Sequence, residues 1–93
     1  MDAAIQKPAF SEKQGQYLAF IHAYTLVMGR SPAEADMQRF FAVTPPSVHQ
    51  MVLTLERLSF ISRKPGIARS IELRVEPDAL PKLQPVISSV QRY

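Results

Sequence analysis

Two proline-bearing helix starts, Ser31-Pro32 and Thr44-Pro45-Pro46, constrain this chain more than any other feature. Between them there is room for only about two turns of helix. Ser31 can cap a helix whose first position is Pro32, where the missing N–H costs nothing, and Glu34 three residues on completes a capping box. Ala35, Met37, Phe40 and Phe41 give that helix an apolar side. Met37 and Phe41, one turn apart, face inward. Ala42 follows at a tight turn that tolerates only a small side chain, and Val43 plugs the space between helices. Thr44 then caps a further helix, whose buried stripe is Val48, Met51, Val52, Leu55 and Leu58 and whose end falls near Leu58 or Ser59. The stretch from Met37 to Leu55 has the spacing of a helix-turn-helix unit.

The flanking segments complete a small domain. Ser11 is a helix N-cap with Glu12 favourable in the first turn. Tyr17, Phe20, Ile21, Tyr24 and Met28 then recur at helical spacing up to Gly29, a natural C-terminal stop. Beyond the third helix, Phe60 to Arg63 reads as a strand, Pro65-Gly66 as a turn, and Ser70 to Val75 as a strand alternating polar and apolar residues. The order is helix, helix, helix, hairpin. The expected fold is therefore α+β but mostly α: a winged helix-turn-helix, a three-helix bundle closed by a two-stranded antiparallel β-hairpin wing. Residues 1–9 are expected to be a flexible tail, 10–76 the domain, and 77–93 a proline-rich extension in which Val86 to Tyr93 can form one short helix. Its apolar residues Leu83, Val86, Ile87, Val90 and Tyr93 suit either a homodimer seam or packing onto the same domain.

A third helix pinned by Val43, Val48 and Met51 exposes the opposite side of its N-terminal end. That side carries Thr44, Pro46, Ser47, His49 and Gln50, short or polar residues suited to lying against a duplex. Gln50 can bond adenine with both ends of its amide, and His49 can donate to guanine or phosphate. Thr44, Ser47 and the free amides of the helix start suit phosphates. The hairpin supplies cations beside this face. Residues 57–74 hold five basic residues, including Arg63, Lys64 and Arg69 around the turn, against the single acid Glu72; that excess exceeds the whole chain's net charge of +3. Double-stranded DNA is the expected partner. The same face could instead meet a protein partner, and the hairpin could be merely a solvated charged surface. A DNA-facing surface requires the acids Glu34, Asp36 and Glu56 to point away from Gln50 and Arg69.

Other chemistries find little support. The chain has no cysteine, and its two histidines, His22 and His49, stand on different helices, so neither a metal site nor a disulfide is expected. No glycine-rich phosphate loop or nucleophile elbow is present, and neither an enzyme nor a cofactor is expected. No apolar run approaches the roughly 18 residues of a membrane span, and the N-terminus lacks a signal pattern. A cytoplasmic location follows as the expectation.

From Phe10 to about Val75 the chain resembles the N-terminal DNA-binding domain of LexA-type repressors and, more loosely, MarR-type winged helices. The likeness is carried by SEKQ (residues 11–14) opening the first helix, GRSP (29–32) before the second, and TPPSVH (44–49) opening the third. LSFI (58–61) and RSIEL (69–73) carry it through the hairpin. It implies a sequence-specific bacterial transcriptional regulator that reads operator DNA as a dimer. Base-side contacts would fall on Thr44, Pro46, Ser47, His49 and Gln50, and wing contacts on Lys64 and Arg69. Ala42 stands where glycine is commoner. The sequence to Tyr93 shows no counterpart of those repressors' self-cleaving peptidase domain, so autocleavage is not expected.

Overall fold

A computed structural model describes residues 10–86. Helix α1 (Glu12–Met28), helix α2 (Glu34–Phe41) and helix α3 (Pro45–Arg57) are followed by strands β1 (Ile61–Ser62) and β2 (Glu72–Leu73) and a short 3-10 turn at Pro77–Ala79. The strands pair antiparallel, Ile61 with Leu73 and Ser62 with Glu72, giving the three helices and two-stranded wing expected. No helix among these residues is long and apolar enough to cross a membrane.

Each helix end has a local cause. Ser11 and Gln14 form a reciprocal capping box at the start of α1, and Gly29 ends that helix in the left-handed region at φ 76°. Helix α2 begins later than its proline signal implies. Its N-cap is Ala33, and the Asp36 carboxylate reaches back to accept the Ala33 N–H at 2.8 Å. Ser31 and Pro32 are instead buried beneath the start of the helix, and the Ser31 hydroxyl has no hydrogen-bond partner among the described residues. Ala42 closes α2 at φ 56°, with the Val43 N–H donating to the Gln38 carbonyl. At the end of α3, Ser59 takes φ 68°. There the Ser59 N–H bonds Glu56 and the Phe60 N–H bonds Leu55, a Schellman closure that turns the chain into β1.

The core lies where α1 meets α2, α3 and the wing. Tyr17, Leu18, Ile21, Met37, Val48, Val52, Leu55 and Ile61 are all but sealed from solvent. Helix α1 is buried on every side from Tyr17 to Ile21, so Leu18 joins the core outside the expected stripe, while Met28 is exposed. Ala35 and Leu58, expected inside, also face solvent. Rings extend the core toward α2: Phe41 stacks on Tyr17 at 4.1 Å between centroids, and Phe40 on Phe20 at 4.7 Å.

Residues 80–84 fold back on α1, as one of the two expected uses of the extension allows. Leu80 and Leu83 pack against the core. The Gln16 amide donates to the Lys82 carbonyl at 2.9 Å and accepts from the Gln84 N–H at 2.7 Å. Gly15 is the point of close approach, since a Cβ there would lie 3.0 Å from both the Phe10 ring and Pro81. The expected N-terminal tail, Ile87, Val90, Tyr93 and the helix ending at Tyr93 lie outside the described residues.

Candidate nucleic-acid interface

The start of α3 faces outward because its inner side is fully used. Val48, Val52 and Leu55 have no exposed surface, with Met51 half-buried beside them. One turn earlier and on the opposite side, Thr44, Pro46, Ser47, His49 and Gln50 are exposed. Thr44 caps the helix: its hydroxyl oxygen accepts the Ser47 N–H at 3.4 Å and its hydroxyl meets Ser47 Oγ at 3.0 Å. Two successive prolines hold the helix entry rigid.

This face is flanked on both sides. On one, a groove runs between α3 and the start of α1, lined by Lys13, Gln14, Pro46, Ser47, Gln50 and Thr54. Lys13 and Thr54 thus join the expected residues. Nothing in their sequence context marks them; only the crossing of α1 and α3 brings them there. On the other side, Glu34 at the start of α2 lies against His49 and also lines a groove shared with the wing residues Arg63, Gly66, Ile67 and Arg69. The wing therefore sits across the first turn of α2 from the exposed end of α3.

The wing is less a ribbon than a braced loop. The expected strands of four and six residues contract to two each, with one further backbone bond from the Arg74 N–H to the Phe60 carbonyl. Lys64-Pro65-Gly66-Ile67 makes a type II turn, closed by the Ile67 N–H on the Lys64 carbonyl at 3.0 Å, and Gly66 at φ 79° supplies the conformation that turn needs. Ser70 clamps the loop from inside, its hydroxyl oxygen accepting the Lys64 N–H at 2.8 Å and its hydroxyl facing the Ile67 carbonyl at 2.9 Å. Lys64 is exposed at the turn.

Arg69 ties the loop to the helices. From a left-handed backbone at φ 57° its guanidinium turns inward and donates to Tyr24 Oη at 3.1 Å, the Ser31 carbonyl at 3.2 Å and Asp36 Oδ2 at 3.1 Å. It also lies 5.9 Å from the centre of the Tyr24 ring. The Ala33 N–H, followed by the Arg69 charge, the Tyr24 hydroxyl and the Arg39 charge, holds the Asp36 carboxyl below the usual carboxylate range against the opposing effect of its burial.

Asp36 does not point away from Arg69, contrary to expectation, and the other two acids, though bonded to neither Gln50 nor Arg69, each meet another candidate residue. Asp36 holds Arg69. Glu56 accepts from Arg63 Nε at 3.0 Å, and both Glu34 oxygens lie 3.2–3.3 Å from His49 Nδ1. The reason is tertiary: α2 ends its first turn beside both α3 and the wing, and the last turns of α3 run beneath Arg63. Of the expected wing cations only Lys64 has no acidic partner among the described residues. Among those residues there is also no cluster of three or more potential metal ligands.

Known repressors share much of this sequence. Over 70 residues the chain is 36% identical to the LexA repressor of Thermosipho africanus, covering 75% of this chain and 35% of that protein. The LexA repressor of Thermosipho melanesiensis is 40% identical over 63 residues, 68% of this chain and 32% of the relative. The LexA repressor of Zymomonas mobilis is 33% identical over 79 residues, 84% and 36% respectively. The chain is LexA-like. It spans about a third of the length of these curated relatives, and no family model matches it. In this LexA-like chain, the exposed start of α3 is flanked by the Lys13 groove on one side and by Glu34, on the first turn of α2, on the other.

Proposed function

We propose that this chain binds double-stranded DNA as a transcriptional regulator, with α3 in the major groove and the wing along the backbone. The observation that carries the reading is the outward N-terminal turn of α3, backed by fully buried Val48, Val52 and Leu55. Its exposed residues offer groups of the right chemistry. Gln50 can pair with an adenine edge, His49 with guanine or phosphate, and Thr44, Pro46 and Ser47 fit close to the backbone. Lys13, in the groove beside Gln50, and Lys64, exposed at the wing turn, are the cations that would neutralise phosphates. Arg63 contributes positive potential while paired with Glu56. Arg69 holds the wing in place through Nη1, which faces Tyr24 Oη, the Ser31 carbonyl and Asp36, while its side chain stays 31% exposed.

The likeness to proteins named repressors supports this reading. A single domain of this size covers few base pairs, so regulation from a defined site calls for two copies on one duplex. The pairing of three cationic or basic residues with acids favours a second reading, in which the same face meets a protein. Titration of a mixed duplex at two salt concentrations separates the two. DNA binding requires affinity to fall with salt at a log–log slope of about −0.9 per phosphate contact. Absent or salt-independent binding would leave the protein-partner reading.

A further inference from the structure

We infer that Glu34 is a positioning residue for His49 and couples duplex binding to the uptake of a proton. The inference rests on the DNA-binding reading above. Both Glu34 carboxylate oxygens lie within 3.3 Å of His49 Nδ1, across the α2–α3 junction, and His49 remains 53% exposed. An ionised carboxylate only accepts, so Nδ1 carries the hydrogen in this pair and Nε2 is the ring atom left for a partner. In the neutral ring Nε2 is a lone pair. Phosphate oxygens and the guanine N7 and O6 atoms are acceptors too, so a neutral His49 meets them unfavourably. Once the ring takes a proton, Nε2–H donates to any of them. The same proton offsets the Glu34 charge, which otherwise stands beside the exposed start of α3 and in the wall of the groove between the start of α2 and the wing. Both effects have one sign: binding tightens as pH falls.

The surroundings leave this pair as the group that responds. On α2, Asp36 is engaged by the Ala33 N–H, Arg39 and Arg69. On the wing, Arg63 and Arg69 share the groove with Glu34, but each holds its own carboxylate, and guanidinium groups keep their charge. On α3 itself, Ser47 and Gln50 carry no charge. The other histidine, His22, lies on α1 beside β2, in a separate groove with Ile71, Glu72 and Leu73.

The test is fluorescence anisotropy of the full chain with a duplex selected from a random pool, at fixed ionic strength between about pH 8 and pH 5.5, the range in which imidazoles exchange protons. The wild-type affinity should rise with falling pH, by at most about tenfold per pH unit for one proton. Glu34→Gln should bind more tightly than wild type near pH 8 and lose most of the slope, because an amide can present a donor to Nδ1 and leave Nε2–H without protonation. His49→Gln should also flatten the slope while still binding, and His22→Gln should keep it. A flat wild-type profile, or a slope that survives in His49→Gln, overturns the inference while leaving DNA binding intact. Failure to recover any duplex at any pH overturns the DNA-binding reading itself.

Discussion

Asp36→Ala removes the one carboxylate that joins the start of α2 to the wing. Two losses dominate. The Ala33 N–H loses its Asp36 acceptor at the start of α2, at a cost of about 1 kcal/mol. Arg69, 31% exposed, loses its anionic partner but keeps Tyr24 Oη and the Ser31 carbonyl. A bond to a charged group contributes about 1.5–3 kcal/mol, and partial solvation reduces this to about 1–2. Arg39 is 72% exposed and adds little. The sum is about 2–3 kcal/mol, a large part of the roughly 5–14 kcal/mol expected for a chain this long. At about 4–8 °C per kcal/mol, thermal unfolding followed by circular dichroism should fall by about 10–20 °C at pH 7. Asp36→Asn, which retains a neutral acceptor, should fall by less. The pH dependence gives a second check. The folded carboxyl sits below its ordinary range, so its contribution is complete above the unfolded value near 3.9 and disappears as pH falls through the lower folded value. The gap between wild type and Asp36→Ala should therefore narrow as pH is lowered from 7 toward about 2.5. A melting temperature within about 3 °C of wild type at pH 7, or a gap of constant size down to that acid limit, would refute the reasoning.

Other substitutions probe other parts of the structure. Ala42 holds φ 56°, which costs an L-residue about 1–2 kcal/mol, so Ala42→Gly should raise stability by up to about 1 kcal/mol in a denaturant melt after the entropic cost of glycine. Leu55→Ala, at a site with no exposed surface, should cost about 2–5 kcal/mol in the same melt. Lys13→Ala and Lys64→Ala should each weaken binding to all duplexes alike and reduce the salt slope by about 0.9, as measured by anisotropy at several salt concentrations.

The parts legible in the sequence were those governed by neighbours along the chain. Thr44-Pro45-Pro46 marks the start of α3 because a cap and a proline act within one turn, and Ala42 marks the tight turn because only a small residue sits well there. The alternation from Ser70 to Val75 holds in burial, with Ile71 buried and Glu72 and Arg74 exposed, although regular pairing covers only two residues. Contacts between distant residues were not legible. Ser31 looks like a helix cap, yet the cap position falls two residues later at Ala33, whose N–H Asp36 accepts, and Ser31 is left inside. The pairing of Glu34 with His49, Glu56 with Arg63 and Asp36 with Arg69 depends on how the helices cross, as does the placing of Lys13 beside Gln50. Charge counting along the chain therefore overstates the free positive charge of the wing.

The most direct measurement is a backbone amide NMR titration of the isotope-labelled chain with a bound duplex. If α3 and the wing form the contact surface, the largest shifts fall on Ser47, His49, Gln50, Lys13 and the Lys64–Ile67 turn, and Gln50→Ala alters which base pair is preferred by about 1–3 kcal/mol. Shifts centred instead on the exposed Leu26, Val27 and Met28 at the far end of α1, with the start of α3 unmoved, would contradict it.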